Sequence, residues 1–211
     1  MPINKISTSD HHTLVLCDNE SSTVYSWGWN SYSQLGYQTN NSNKLNFDES
    51  ACGLVPRRIS FLENKNIVMV ACSKIHSCAV TKNGEVYLWG LNMGQMGKIT
   101  HSNQDVEYLG KHGHIVIKPI IITLKHLKIE QIICSEFVTF IRSENNVLTV
   151  FVNNTVKTFK IPLARSKNFK EIDAFNHFTK REIPSKVVDM KCSNKSGNNL
   201  CFRYECGRVG I

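Results

Sequence analysis

Two histidines of this 211-residue chain, His12 and His76, could serve as metal ligands or as acid–base groups. Both occupy the same phase of an internal repeat, and a residue that recurs with a repeat has the same role in each copy of the fold. We therefore interpret them as structural residues whose side chains hydrogen-bond to a neighbouring strand. Trp27 and Trp89 could likewise recognise a ligand, but their identical phase favours packing between repeats.

Four other residues, in the last quarter of the chain, could serve as metal ligands: His177, Cys192, Cys201 and Cys206. Their separations differ from the short paired spacings that preorganise a tetrahedral zinc site. We therefore predict that the chain has no metal site.

The sequence has none of the short motifs that usually mark an enzyme. It contains no Gly-x-x-x-x-Gly-Lys-Ser/Thr phosphate loop, no Gly-x-Gly-x-x-Gly dinucleotide turn and no Gly-x-Ser-x-Gly nucleophile elbow. The adjacent acids Asp48 and Glu49 lie in a polar insertion, where we expect them to be solvated. The sequence therefore predicts a protein that is not an enzyme, with no catalytic residue and no cofactor-binding residue.

The histidines and tryptophans belong to two segments that share one pattern. The first segment, residues 12–36, contains His-Thr-Leu-Val-Leu, then Val-Tyr-Ser-Trp-Gly-Trp-Asn, then Gln-Leu-Gly. The second, residues 76–97, contains His-Ser-Cys-Ala-Val, then Val-Tyr-Leu-Trp-Gly-Leu-Asn, then Gln-Met-Gly. The resulting structural signature consists of His12, Trp27, Gly28, Asn30 and Gly36 in the first segment, and of His76, Gly84, Trp89, Gly90, Asn92, Gly94 and Gly97 in the second.

Each segment is predicted to form a β-hairpin followed by a loop. Asn83-Gly84 lies between two β-prone apolar runs, which is the preferred sequence for a tight turn with positive φ. The insertions 37–54 and 98–118 fall at the same phase, so we expect both to be loops on one rim of the assembly. A short helix is predicted only over residues 169–181.

The repeat continues in weaker form to the end of the sequence. A third unit follows Ile132 in phase, but Val138 replaces the histidine and no Trp-Gly pair is present. We predict one partial domain over residues 1–211. Its repeat units cover approximately residues 8–69, 70–131, 132–187 (degenerate) and 188–211 (truncated).

This pattern resembles the repeats of the regulator-of-chromosome-condensation family, in which a Gly-x-Val-Tyr-x-Trp-Gly strand precedes an Asn-x-x-Gly-Gln-Leu-Gly loop. The first segment has Tyr32 and Ser33 where that loop has glycine. The resemblance implies an all-β fold, a β-propeller whose family members have seven blades. The chain has about three to four blades' worth of repeats, so the propeller is incomplete. Within the family, the loop at residues 90–97 is most similar to that of the inhibitor of Bruton tyrosine kinase.

Charge and composition limit the compartment and the partners. The formal net charge is +8, and residues 157–195 hold ten Lys/Arg against four Asp/Glu. Such a surplus attracts nucleic acid or acidic proteins, although it is more often a solvated face. The first residues contain no apolar block, so we expect neither a secretory signal nor a membrane anchor. We expect a cytoplasmic or nuclear protein with reduced cysteines.

The function that these observations predict is a non-catalytic scaffold for protein–protein interaction. The family resemblance implies a protein partner that is a kinase or a ubiquitin-ligase component. Two alternatives stay open, which are nucleotide exchange on a small GTPase and association with chromatin or DNA through the basic face.

Overall fold

Antiparallel strands account for nearly all the regular structure of the chain. The computed structural model describes residues 2–19, 22–39, 52–99, 105–124, 128–166, 170–172, 178–180, 183–192, 200–206 and 208–210. Three single-turn 3-10 segments, at Ser60–Leu62, Gly110–His112 and Glu144–Asn146, interrupt the strands. Within the described residues, no helix has the length and apolar character needed to cross a membrane.

Four sheets follow one another along the chain, and we number them as blades. Blade 1 has the order β1 (Ile3–Thr8), β2 (His12–Cys17), β3 (Val24–Trp29), β4 (Cys52–Arg58). Blade 2 has the order β5 (Ile67–Cys72), β6 (His76–Thr81), β7 (Glu85–Asn92), β9 (His114–Thr123), β8 (Val106–Tyr108). Blade 3 has the order β10 (Ile129–Cys134), β11 (Thr139–Ser143), β12 (Val147–Val152), β13 (Thr155–Lys160).

The last part of the chain forms two ribbons and a smaller sheet. The ribbons pair β14 (Ala164–Ser166) with β17 (Ile183–Ser185), and β15 (Lys170–Ile172) with β16 (Phe178–Lys180). Blade 4 has the order β18 (Val187–Cys192), β19 (Leu200–Tyr204), β20 (Val209–Gly210).

The first strand of each blade lies next to the first strand of the next blade. Strand β5 contacts β1 and β2, β10 contacts β5 and β6, and β18 contacts β10. The blades are therefore arranged around an axis with their first strands innermost, which is the architecture of a propeller. The prediction of an all-β, incomplete propeller is confirmed.

A β-bulge in the innermost strand identifies equivalent positions in all four blades. The register of the first two strands shifts after Ile3 in blade 1 and after Ile67 in blade 2. The same shift follows Ile129 in blade 3 and Val187 in blade 4. The two weaker repeats are therefore blades of the same construction, although the repeat limits predicted from the sequence stay a prediction.

Two local predictions are wrong. The helix expected over residues 169–181 is replaced, in its described parts, by the paired strands β15 and β16. Most of the insertion 98–118, expected to be a loop, is structured: β8 pairs with the first half of β9, and β9 continues to Thr123. The apolar run that begins at Ile115 provides the reason, since β9 pairs with β7 and its Ile115 and Val116 are fully buried.

The glycine of the Trp-Gly pair is required by the close approach of two strands. Gly90 has φ +104°, and a Cβ at this position would lie 2.6 Å from the carbonyl oxygen of Ile75 and 2.8 Å from the Cα of His76. Gly28 in blade 1 has the same surroundings, with His11 and His12 in place of those residues. The strand that carries the signature histidine therefore packs directly on this glycine.

We expect Gly90→Ala to lower the free energy of unfolding by at least about 2 kcal/mol, because the new methyl group meets backbone atoms and the φ angle is unfavourable for alanine. Gly110→Ala is the matched control, since Gly110 also has positive φ (+63°) but a Cβ there would meet nothing within 4 Å. The free energy of unfolding of the control variant should fall by about 1 kcal/mol. Urea unfolding of both variants measures the difference, and equal losses would contradict the proposed steric clash.

Candidate functional site

The two signature histidines join consecutive blades. His12 Nε2 of blade 1 lies 2.6 Å from Ser77 Oγ of blade 2, and His76 Nε2 of blade 2 lies 2.9 Å from Thr139 Oγ1 of blade 3. Both histidines are buried. We call each such boundary between blades a seam.

The hydrogen-bond network at the first seam assigns the neutral form of His12 with its proton on Nε2. The hydroxyl of Ser77 donates to the carbonyl oxygen of Gln34 at 2.8 Å, so it can only accept from the imidazole. The remaining nitrogen, Nδ1, faces the hydroxyl of Ser9 at 3.3 Å. His76 has the same partner type on this side, with Ser73 Oγ at 2.7 Å from its Nδ1.

Burial keeps both imidazoles uncharged. It lowers the pKa of His12 to about 3, with a smaller contribution from the neighbouring His76, and lowers the pKa of His76 to about 3. Because each imidazole is neutral and buried at a seam, it is not accessible to a substrate. Its role is to hold the two blades together.

Trp89 completes the first seam from the side of blade 2. Its indole Nε1 donates to the carbonyl oxygen of Gln34 at 2.9 Å, and the ring is fully buried. Gly36 lies under the ring, because a Cβ there would be 3.1 Å from the indole nitrogen. Trp27, at the same phase of blade 1, is only half-buried.

The signature asparagines hold the loops that follow the Trp-Gly strands. Asn30 donates to the carbonyl oxygen of Tyr37 at 2.7 Å and accepts from the amide of Leu35 at 2.9 Å. Asn92 donates to the carbonyl oxygen of Gly97 at 2.9 Å and accepts from the amide of Gly94 at 2.9 Å. Both loops are therefore fixed by buried side-chain-to-backbone bonds.

The remaining signature glycines lie at turns and at the second seam. Gly84 ends the turn between β6 and β7, where its amide donates to the carbonyl oxygen of Thr81 at 3.1 Å. The carbonyl oxygen of Gly94 accepts from the amide of Asn154 in blade 3 at 3.0 Å, and Gly97 packs near Phe151 of the same blade.

A different set of polar residues joins blades 3 and 4, where the histidine is absent. The amide of Gln131 bonds to both backbone groups of Met190, at 2.9 Å and 3.0 Å, and also donates to Asp189. Arg142 donates to Glu130, and to the carbonyl oxygen of Val187 at 3.0 Å. Sequence reasoning missed these residues because they recur in no repeat.

The ends of the sheets that carry the histidines form a rim with alternating charge. We call it the histidine rim, and it contains the turns after β1, β5 and β10 and the loops that Asn30 and Asn92 hold. Asp10, Lys74 and Glu136 occupy equivalent turns of three blades, and Lys74 Nζ lies 3.9 Å from Glu136. These three residues line a recess of about 170 Å³ near the axis.

The described part of the chain offers no site for a metal: no group of three His, Cys, Asp or Glu side chains is placed to bind one. Cys192, Cys201 and Cys206 are free thiols, and His177 lies outside the described residues. The recess on the histidine rim is smaller than the roughly 300–1,000 Å³ of small-molecule pockets.

Models of a single repeat family match residues of blades 1 and 2. The regulator of chromosome condensation (RCC1) repeat matches residues 21–80, and a second model of the same description matches residues 3–34 and 67–95. Residues 3–95 of the chain therefore contain RCC1 repeats. The matched ranges include His12, Trp27, Asn30, His76, Trp89 and Asn92, whose contacts are described above.

Several proteins are similar to this RCC1 chain over part of their length. BTB/POZ domain-containing protein 1 of Schizosaccharomyces pombe is 29% identical over 154 residues, which is 72% of this chain and 10% of that protein. Human E3 ubiquitin-protein ligase HERC2 is 33% identical over 113 residues, which is 51% of this chain and 2% of that protein. The chain therefore spans a small part of these relatives.

The fold is also that of a solved structure. Prp20p from Saccharomyces cerevisiae, studied with its binding to Gsp1p and histones, superimposes with a TM-score of 0.59 at 14% identity. The match covers 91% of this chain and 42% of the Prp20p chain. This likeness shows an RCC1-type propeller fold.

We expect the stability of the chain to decrease as the pH falls from about 6.5 towards about 3. The unfolded histidines bind protons in this range and the folded, buried ones do not, so each can contribute up to about 1.4 kcal/mol per pH unit. The double variant His12→Asn/His76→Asn should be less stable at pH 7. It should also lack the contribution of the two histidines to the slope of the free energy of unfolding against pH. Urea unfolding between pH 7.5 and 4.5 measures both quantities; identical slopes in the wild type and the variant would contradict the assignment.

Proposed function

We propose that this RCC1 chain is a non-catalytic protein-interaction module that binds its partner through the histidine rim. The proposal rests on one observation: Asn30 and Asn92 fix both rim loops by hydrogen bonds to the loop backbone. Loops that are already ordered bind without a large loss of conformational entropy. The rim is therefore a preformed surface.

The charge pattern of the rim supports a protein partner. Asp10, Lys74 and Glu136 alternate in sign across neighbouring turns, and the Lys74–Glu136 pair is only partly buried. Partly exposed charges of alternating sign contribute little to stability, but they select a partner with the complementary pattern.

The relatives support a partner in ubiquitin ligation or kinase regulation. One similar protein is named as a BTB/POZ protein and another as an E3 ubiquitin ligase. The likeness of the loop at residues 90–97 to that of the inhibitor of Bruton tyrosine kinase adds a kinase to the candidate partners. We also propose a cytoplasmic or nuclear location, where the free cysteines would stay reduced.

Two alternative functions have support from one comparison. Prp20p was studied for its binding to Gsp1p, which favours nucleotide exchange on a small GTPase, and to histones, which favours chromatin association. The net charge of +8 also favours the second alternative. Phosphate contacts would make DNA affinity fall steeply with salt concentration.

A charge reversal on the rim tests the proposal. We expect Lys74→Glu to reduce binding of the protein partner at least tenfold, because it places a third acidic residue between Asp10 and Glu136. Lys82→Glu is the matched control, since Lys82 is exposed at the β6–β7 turn on the opposite rim. Partners captured by the wild type and by each variant are quantified by mass spectrometry.

The outcomes separate the three functions. A kinase or ubiquitin-ligase component that is lost only from Lys74→Glu supports the proposal, whereas equal loss from both variants counts against the rim. Release of labelled GDP from Gsp1p on addition of the chain would favour exchange activity. DNA binding whose affinity falls steeply between 50 and 200 mM salt would favour the chromatin alternative.

A further inference from the structure

Two cysteines meet across the seam between blades 2 and 3. The Sγ atoms of Cys78 in β6 and of Cys134 at the end of β10 lie 3.0 Å apart, although 56 positions separate the two residues in sequence. A disulfide bond is about 2.05 Å long, so an approach of roughly 1 Å would join the two sulfurs. Both cysteines are buried free thiols. The pair is therefore a dithiol that bridges two blades.

The thiol of Cys78 has a fixed orientation. Its Sγ donates to the carbonyl oxygen of Ala71 in β5 at 3.5 Å, and no part of the residue is accessible to solvent. Because its hydrogen is already engaged, the sulfur of Cys78 accepts from the thiol of Cys134. A lone pair of the Cys78 sulfur is therefore directed towards the sulfur of Cys134, and it can attack that sulfur once it is oxidised.

Small solutes reach the pair from the histidine rim. Cys134 keeps 8% of its surface exposed and borders the recess of about 170 Å³ that Asp10, Lys74 and Glu136 also line. A water molecule takes about 30 Å³ in the liquid, so the recess has room for hydrogen peroxide, which has two oxygen atoms. A peptide oxidant such as oxidised glutathione is too large to enter. Cys134 is thus the thiol that a small oxidant meets first.

We propose that Cys134 and Cys78 form a peroxide-sensitive dithiol that closes into a disulfide between blades 2 and 3. In the first step the thiolate of Cys134 attacks one oxygen of hydrogen peroxide and the O–O bond breaks. Cys134 becomes a sulfenic acid, and the departing hydroxide takes up the thiol proton and leaves as water.

The second step forms the bond between the blades. The sulfur of Cys78 attacks the sulfenic sulfur of Cys134, the S–O bond breaks, and the oxygen leaves with the Cys78 proton as a second water. Two thiols are oxidised to one disulfide, and one peroxide is reduced to two waters. Burial raises the pKa of Cys134, so its thiolate is scarce at neutral pH and the first step is slow. The dithiol therefore stays reduced unless peroxide persists.

The disulfide would also fix two turns beside the recess. Glu136 lies two residues after Cys134, and Lys74 lies in the turn between β5 and β6, the strand that contains Cys78. A covalent bond between the blades holds these turns at one separation, so oxidation makes the histidine rim more rigid. The inference goes beyond the proposed function, because the bond can be measured without a binding partner.

Peptide mapping of the full chain tests the proposal. The folded chain is treated with hydrogen peroxide, its remaining thiols are alkylated in concentrated urea, and it is digested with trypsin. Residues 75–82 and 129–142 form tryptic peptides that each contain one cysteine, Cys78 and Cys134. We expect these two peptides to be joined, with two hydrogens fewer than their sum, at least tenfold more often than either is joined to any other cysteine. Dithiothreitol should separate them.

Two variants and one control separate the outcomes. Cys78→Ser should leave Cys134 as a sulfenic acid that dimedone traps, whereas Cys192→Ser, at a second thiol that borders a cavity with Cys134, should leave the joined peptide unchanged. The mapping of the unaltered chain is decisive even if a variant unfolds. The proposal is overturned if Cys134 joins the peptide 66–74, which contains Cys72, or if the folded chain pairs its cysteines no more selectively than the chain oxidised in urea. Faster joining by oxidised glutathione than by peroxide also overturns it.

Discussion

One hydrogen bond, from a buried neutral imidazole to a hydroxyl of the next blade, determines what the repeat must contain. Burial keeps His12 uncharged, so that Nε2 donates to Ser77 and the unprotonated Nδ1 faces the hydroxyl of Ser9 in the preceding turn. The strand behind the imidazole approaches so closely that Gly28 can have no side chain. The histidine, the hydroxyl that it binds and the glycine behind it therefore form one physical unit.

Much of this architecture could be predicted because it recurs. The spacing of His12 and His76 revealed the repeat, and the family resemblance of that repeat predicted the all-β blades. Asn83-Gly84 predicted a turn that the structure contains. The helix over residues 169–181 was wrong because a short polar segment with few apolar residues fits a hairpin as well as a helix. The exposure of Trp27 could not be predicted, because it depends on which blade lies beside it.

The seam between blades 3 and 4 shows how a propeller seam persists after its signature is lost. Gln131 bonds to Met190 with the donor and the acceptor of one amide, as a neighbouring strand would. Arg142, near the other end of β11 from Val138, is a buried donor to the next blade. Such contacts belong to single positions, so no periodicity in the sequence could reveal them. What the degenerate blades keep is the bulge and the apolar pattern of the innermost strand.

The cysteines of the innermost strands give the axis an unusual chemical character. Burial raises the pKa of Cys72 to about 11 and raises the pKa of Cys134 well above its ordinary value, so both are protonated thiols at neutral pH. Cys206 is exposed, and a hydrogen bond with Ser185 lowers its pKa. A thiol reagent should therefore react faster with Cys206 than with Cys72 or Cys134 in the folded chain. Local opening of blade 2 or blade 3 would increase the reactivity of Cys72 or Cys134, so these thiols can report the local unfolding of their blades.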